Sequence, residues 1–264
     1  MIFIINVELF IFPTKKQMKN IKLLLSYDGT GLLGWQKTPL GPTVEQHLEN
    51  ALSKILQEKI KLQAASRTDA GVHAEGQVIN FFTEKQKIDL EKLQKSINAL
   101  LPPQIAALLI EEMPQDFHPT LNNRGKEYRY FLCNESFQKP KHRLFSWHFP
   151  YPLDLEKMEA AALYLVGTHD FSTFCNELPL SKKNPICTLN SLKIEQIEEN
   201  RFCFKVEGDR FLFRMVRNLV GTLAYAGAEK LELSEISSLL ETRKRKFAGV
   251  TAPAHGLHLM KVFY

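Results

Sequence analysis

Residues 66–74 read Ser-Arg-Thr-Asp-Ala-Gly-Val-His-Ala, which puts a cation (Arg67), a hydroxyl (Thr68), a carboxylate (Asp69) and an imidazole (His73) within a few positions of one another. Side chains of these types carry nucleophilic and acid–base chemistry when they are held in place. The apolar runs at 60–65 and 77–83 read as strands, so the stretch is a polar turn at a strand end. Gly71 permits a backbone shape there that bulkier residues resist. Loops fixed by a scaffold are where reactive groups are commonly carried. The plainer alternative is that Asp69 only caps the turn, because aspartate often accepts from backbone groups two residues on.

Two other stretches hold groups suited to completing such a site. Residues 126–130, Lys-Glu-Tyr-Arg-Tyr, lie on a strand, so Lys126, Tyr128 and Tyr130 point to one face, suited to a core or a cleft alike. In residues 211–221, Phe-Leu-Phe-Arg-Met-Val-Arg-Asn-Leu-Val-Gly, helical spacing puts Arg214, Arg217, Asn218 and Gly221 on one stripe. A solvated basic face is the ordinary explanation. Glycine costs a helix roughly 1 kcal/mol, which is easier to accept where something must approach closely. Lys182, Lys183 and the run Arg243-Lys-Arg-Lys246 are candidate phosphate contacts, although charge runs are usually solvated surface.

The elements that must position these groups follow in order. Residues 21–27 read as a strand. Thr43 caps a helix with Val44, Leu48, Leu52 and Ile55 at helical spacing. Asp89 begins a second helix, ended by Pro102 and Pro103, and a strand follows at 105–111. With the strands at 60–65 and 77–83, this is β-α-β-β-α-β. The second half repeats it: a strand at 126–133, a helix at 155–166, strands at 189–197 and 201–208, a helix at 213–226, an extra helix at 234–242 and a last strand at 256–264. The expected class is α+β, with residues 1–18 an extension or misassigned start (Met18 being the expected start), 19–111 an N-terminal half carrying the loop, and 112–264 a C-terminal half. Two such units side by side leave a long groove suited to a bulky ligand.

The 264 residues, 44% hydrophobic and 24% charged, describe a soluble globular protein. A net charge of +5 suits a polyanionic partner without establishing one. Cys133, Cys175, Cys187 and Cys203 form no Cys-x-x-Cys pair, so reduced thiols in the cytoplasm are expected, with no metal site. The apolar run at 1–12 is interrupted by Asn6 and Glu8, followed by Pro13, and short of the ~20 residues a membrane helix needs. The glycine-rich loop at 28–36, with an exposed-looking Trp35, matches neither a P-loop nor a dinucleotide fingerprint.

Residues 66–74 closely resemble the catalytic motif of the tRNA pseudouridine synthase A family, usually Gly-Arg-Thr-Asp-Ala-Gly-Val-His-Ala. The resemblance runs from about Ile21 to Tyr264. It includes Tyr27-Asp-Gly-Thr30 with Gly34-Trp-Gln36, the Lys126–Tyr130 and Phe211–Gly221 segments, Gly167-Thr-His-Asp-Phe-Ser-Thr-Phe174 and Ala252-Pro-Ala-His-Gly-Leu257. It implies the pseudouridine synthase fold, two ferredoxin-like halves forming a mixed, mainly antiparallel sheet with a central RNA-binding cleft. It implies isomerisation of uridine in the tRNA anticodon stem-loop, at tRNA positions 38, 39 and 40, by a cofactor-free homodimer. In that reading Asp69 is the nucleophile, Arg217 pairs with it and Tyr128 stacks on the target base, while Arg67, Thr68, His73, Lys126 and Arg214 bind substrate. The chain departs from the family at Ser66, at Phe117-His-Pro-Thr120 where Phe-His-Ala-Arg is frequent, and at Cys187 where arginine is common. Rival readings are a noncatalytic RNA-binding protein, a metal hydrolase using Asp69, His73 and Glu75, and, more weakly, an aspartic protease.

Overall fold

The computed structural model describes residues 18–176 and 184–264. The apolar N-terminal run, with the question of where the chain starts, and Lys182 and Lys183 lie outside the described residues. Strand β1 (Lys19–Tyr27) buries Ile21, Leu23, Leu25 and Tyr27 at every second position, the pattern of a sheet with one face covered. Helix α1 (Val44–Leu56) begins where Thr43 accepts from the Gln46 N–H at 3.3 Å. Strands β2 (Leu62–Ala64) and β3 (His73–Thr83) flank the loop at 65–72. Helix α2 (Leu90–Leu100) starts at Asp89, which accepts from the Lys92 N–H at 3.0 Å, and strand β4 (Ile105–Met113) closes the first set.

The second set comprises β5 (Gly125–Cys133), the short β6 (Trp147–His148), α3 (Leu155–Leu163), β7 (Gly167–Asp170), β8 (Ile186–Glu198), β9 (Arg201–Gly208), α4 (Met215–Gly227), α5 (Leu233–Thr242) and β10 (Leu257–Phe263). All strands join one sheet in the order β4-β1-β3-β10-β5-β9-β8-β7, with β2 on β3 and β6 on β5. The first set runs β4-β1-β3-β2 and the second β10-β5-β9-β8, so the repeat in element order is also a repeat in pairing. Helices α1 and α2 pack together in one half, and α3, α4 and α5 in the other. The class is α+β with a mixed, mostly antiparallel sheet, as expected.

The seam between the sets explains where the cleft falls. On one edge of β3, residues 79–81 pair with β2, while His73 and Ala74 pair in parallel with His258 and Leu259 of β10. Where β3 exchanges one partner for the other, the chain between β2 and β3 has no place in the sheet and bulges out as the loop carrying Asp69. Strand β3 begins at His73, four residues before the expected 77, because Ala74 pairs with Tyr27 of β1 as well as with β10. Helix α3 stops three residues early, before the positive φ of Gly167. Helix α4 begins at Met215 because Arg214 sits in the left-handed region at φ 59°. Trp35 is buried, not exposed.

Candidate active site

The loop is held from several sides before any functional group is considered. The Val72 N–H donates to the Asp69 carbonyl at 3.1 Å, closing a four-residue turn in which Gly71, at φ 78°, occupies the position that demands positive φ. The Trp35 N–H donates to the Thr68 carbonyl at 3.0 Å, and the Gly71 N–H to Leu32 at 3.2 Å. The Thr68 hydroxyl meets the Tyr27 hydroxyl at 2.8 Å. Gln77, fully buried in β3, uses both ends of its amide on Ser66: Oε1 accepts from the Ser66 N–H at 3.3 Å and Nε2 donates to the Ser66 carbonyl at 2.7 Å.

Since the backbone carbonyl of Asp69 closes the turn, its carboxylate is left for other work. Asp69 Oδ2 accepts from Arg217 Nη1 at 2.7 Å, with the two side chains 22% and 13% exposed. Among the described residues Oδ1 has no hydrogen-bond partner. Arg217, in the first turn of α4, also donates from Nε to the Ala252 carbonyl at 2.7 Å. The guanidinium fork is therefore fixed at both prongs. Together these bonds present a partly solvated carboxylate with one free oxygen.

Arg217 is in turn positioned by the segment at 248–254, which lies against α4. The Ala252 N–H donates to the Arg217 carbonyl at 3.1 Å. A Cβ on Gly221 would stand 1.7 Å from the Val250 carbonyl oxygen, so the glycine is required by this close approach. Asn218 is fully buried; its Nδ2 donates to the Phe174 carbonyl and Asn176 Oδ1, both at 2.7 Å, and its Oδ1 accepts from Arg245 Nη2 at 2.9 Å and the Thr251 hydroxyl at 2.7 Å. Arg245 also donates to the Gly249 carbonyl at 2.8 Å. The α4 stripe is thus a packed interface and not a solvated face, and Arg245 is a scaffold group and not a free phosphate contact. Arg243, also exposed, pairs with Asp170 at 3.1 Å, leaving Lys244 and Lys246 as the exposed cations of that run with no ion pair among the described residues.

Opposite the carboxylate, β5 supplies the other wall of a cleft of about 1000 Å³. Tyr128 is 6% exposed; its hydroxyl lies 2.7 Å from Ser66 Oγ and its ring meets Phe211 edge-on at 5.1 Å. Burial, and to a lesser degree the Asp69 charge, pushes the phenol up to about 12 against the lowering effect of the Ser66 hydrogen bond, so it stays protonated. Lys126 lines the same cleft at 8% exposure. Burial lowers its pKa, partly countered by Asp209. Arg67 and Arg214 are exposed at the rim, and Thr68 is buried beneath it.

His73 does not join this group. As the first residue of β3 its side chain turns to a separate cavity of about 240 Å³, shared with Asp28, Glu75 and His258. The imidazole is 1% exposed, accepts at Nδ1 from the Gly29 N–H at 3.0 Å and donates from Nε2 to the Leu144 carbonyl at 2.9 Å, with burial lowering its pKa. The structure thus places His73, expected among the substrate-binding residues, outside the cleft that holds Asp69, with the Asp28 carboxylate 3.1 Å from its Nδ1. For the same reason Asp69, His73 and Glu75 do not converge as a metal-hydrolase set. Gln77 and Phe211 were given no part in the site by sequence reasoning, and Arg245 was read as a candidate phosphate contact where the structure makes it a scaffold group. Gln77 carried a signal, a polar residue opening an apolar run.

The fold and site define an α+β protein with a carboxylate–guanidinium pair set in a cleft between two β-α-β-β-α-β sets. The profile of the tRNA pseudouridine synthase family matches residues 24–121 and 161–264. The chain is 50% identical over 250 residues to tRNA pseudouridine synthase A 2 of Protochlamydia amoebophila (strain UWE25), covering 94% of this chain and 95% of that protein. It is 41% identical to tRNA pseudouridine synthase A of Thermoanaerobacter sp. (strain X514), covering 94% and 100%, and 40% identical to tRNA pseudouridine synthase A 1 of P. amoebophila, covering 92% and 95%. The chain belongs to the tRNA pseudouridine synthase family, and is an isomerase acting on uridine in tRNA.

Proposed function

We propose that this chain isomerises uridine in the anticodon stem-loop of tRNA, with Asp69 as the essential nucleophile, Arg217 as its partner and Tyr128 as the surface on which the target base stacks. The observation that carries this reading is the 2.7 Å contact between Arg217 Nη1 and Asp69 Oδ2, which leaves Oδ1 open to a cleft walled by Tyr128.

The reaction breaks the bond between ribose C1′ and uracil N1, turns the detached uracil and joins C5 to C1′. The C5 proton is then lost and one is gained at N1, so substrate and product are isomers and no redox partner is needed. A carboxylate serves by attacking the ribose or the base, or by taking a ribose proton toward a glycal; each route needs an ionised oxygen facing the nucleotide. A stacked base is out of reach of Asp69, so the nucleotide must be extruded into the cleft. Base–aromatic stacking of roughly 1–3 kcal/mol holds the ring while its glycosidic bond is broken. Lys126 faces the cleft with no carboxylate in hydrogen-bond contact among the described residues, which fits it to an anion of the substrate. Arg67 and Arg214 at the rim suit phosphates, and Thr68 fixes the loop beneath them. A homodimer working in the cytoplasm completes the reading. Mapping pseudouridine in tRNA from cells with and without this protein tests it: unchanged modification of the anticodon stem-loop contradicts the proposed site of action.

A further inference from the structure

The Ser66 hydroxyl is given no part in the reaction above, yet it sits at a junction. Its oxygen lies 2.7 Å from the Tyr128 hydroxyl, and among the described residues that phenol has no other hydrogen-bond partner. The backbone on either side of the Ser66 side chain is clamped by the buried amide of Gln77, at 3.3 Å through the N–H and 2.7 Å through the carbonyl. A rigid path therefore runs from the β3 interior through Ser66 to the far end of the Tyr128 ring.

The aromatic contact, the Phe211 edge at 5.1 Å, steadies the body of the buried ring and leaves its hydroxyl end to Ser66. We propose that Ser66 is a positioning residue, whose hydroxyl fixes the tilt and depth of the Tyr128 ring and so the plane in which the target uracil is held relative to Asp69. Ser66 and Asp69 share one clamped loop, so the bond ties the stacking surface, on β5, to the loop that supplies the nucleophile. The resembled family motif carries glycine here, which has no hydroxyl to offer. The inference rests on the proposed role of Tyr128 as the stacking surface. Losing the bond leaves the cleft and its cations in place, so it should slow the chemical step while tRNA affinity holds.

The test is a double-mutant cycle in the full-length protein on unmodified tRNA, with single-turnover rate, tRNA Kd and thermal melting read for each variant. Ser66→Ala is expected to slow isomerisation about fivefold, the scale of one net hydrogen bond, with Kd changed less than about twofold. Ser66→Thr, which keeps the hydroxyl, should recover most of the rate. In a Tyr128→Phe background Ser66→Ala should have no further effect. An equal fivefold loss in that background, or no loss in either, overturns the inference. A Tyr128→Ala variant separates the two levels: full activity there sinks the stacking role and this inference together. A dead Tyr128→Ala beside a fully active Ser66→Ala sinks the inference alone.

Discussion

At the scale of single residues the account turns on one guanidinium serving two acceptors. Arg217→Lys keeps the charge, but one ammonium cannot hold the Ala252 carbonyl and Asp69 Oδ2 with the geometry of the fork. The expected loss is on the order of 10²-fold in kcat, as for a misplaced reactive group, with modest change in tRNA Kd; an unimpaired variant counts against the pairing. At Tyr128, phenylalanine should retain most base stacking and alanine should lose it, so alanine must hurt more in single-turnover assays. If both variants act like the parent, the tyrosine is a bystander. His258, stacked on His73 at 4.6 Å, gives a pH prediction. Burial, aided by His73, lowers its pKa to about 3, whereas an unfolded histidine titrates near ~6.5. Below pH ~6.5 the unfolded state therefore takes up a proton that the native state refuses until about pH 3. Stability falls with pH across that window, by about 1.4 kcal/mol per unit at most for this group. Chemical denaturation between pH 6.5 and 4 should show a shallower decline for His258→Gln, and an unchanged slope refutes the assignment. The residue types at 66–74 were legible as reactive, but their directions were not. Asp69 and Arg217 lie 148 residues apart, and no spacing rule joins them; only the resemblance named the pair. His73 is close to Asp69 in sequence, yet as the first residue of β3 its side chain lines a separate cavity.

At the scale of elements, the packing of the 248–254 segment on α4 is what holds Arg217 in register. Gly221→Ala drives a methyl into the Val250 carbonyl and must push that segment off the helix. Overpacking of this kind costs roughly 1–3 kcal/mol, so the variant should melt several degrees lower and lose activity through the displaced Ala252 carbonyl. Wild-type melting and rate would mean the segment yields freely. Helix starts were readable because Thr43 and Asp89 cap as their types suggest. The close approach at Gly221 was readable as a helix glycine needing a reason. The start of α4 was not, since nothing in Phe213-Arg214-Met215 announces an arginine at positive φ. Nor was β7, four residues paired edge-on with β8, too short to show a period. Arg245 shows the limit of charge patterning: within a basic run, a cation turned inward to Asn218 looks the same as one facing solvent.

At the scale of the whole molecule, the duplicated β-α-β-β-α-β order was visible from hydrophobic periodicity, whereas the parallel seam of β3 with β10 was not, because strand partners distant in sequence leave no local signal. That seam sets the loop of one half against the β5 wall of the other, so the site belongs to both halves. The proposed homodimer is tested by mixing an Asp69→Asn subunit with one carrying Lys244→Glu and Lys246→Glu, the exposed cations of their run that have no ion pair among the described residues. Recovery of activity from two individually weak variants supports a site fed by both subunits, and a fully active monomer contradicts it. Binding through phosphates should also weaken steeply as salt rises.

The central claim is that the Asp69 carboxylate performs the isomerisation, and Asp69→Asn tests it most directly, since the amide keeps the size and removes the charge. Pseudouridine formation and tRNA binding should be measured on the same folded preparation. The account predicts tRNA affinity within a few-fold of the parent and no detectable pseudouridine. Undiminished isomerisation by the folded variant would contradict it.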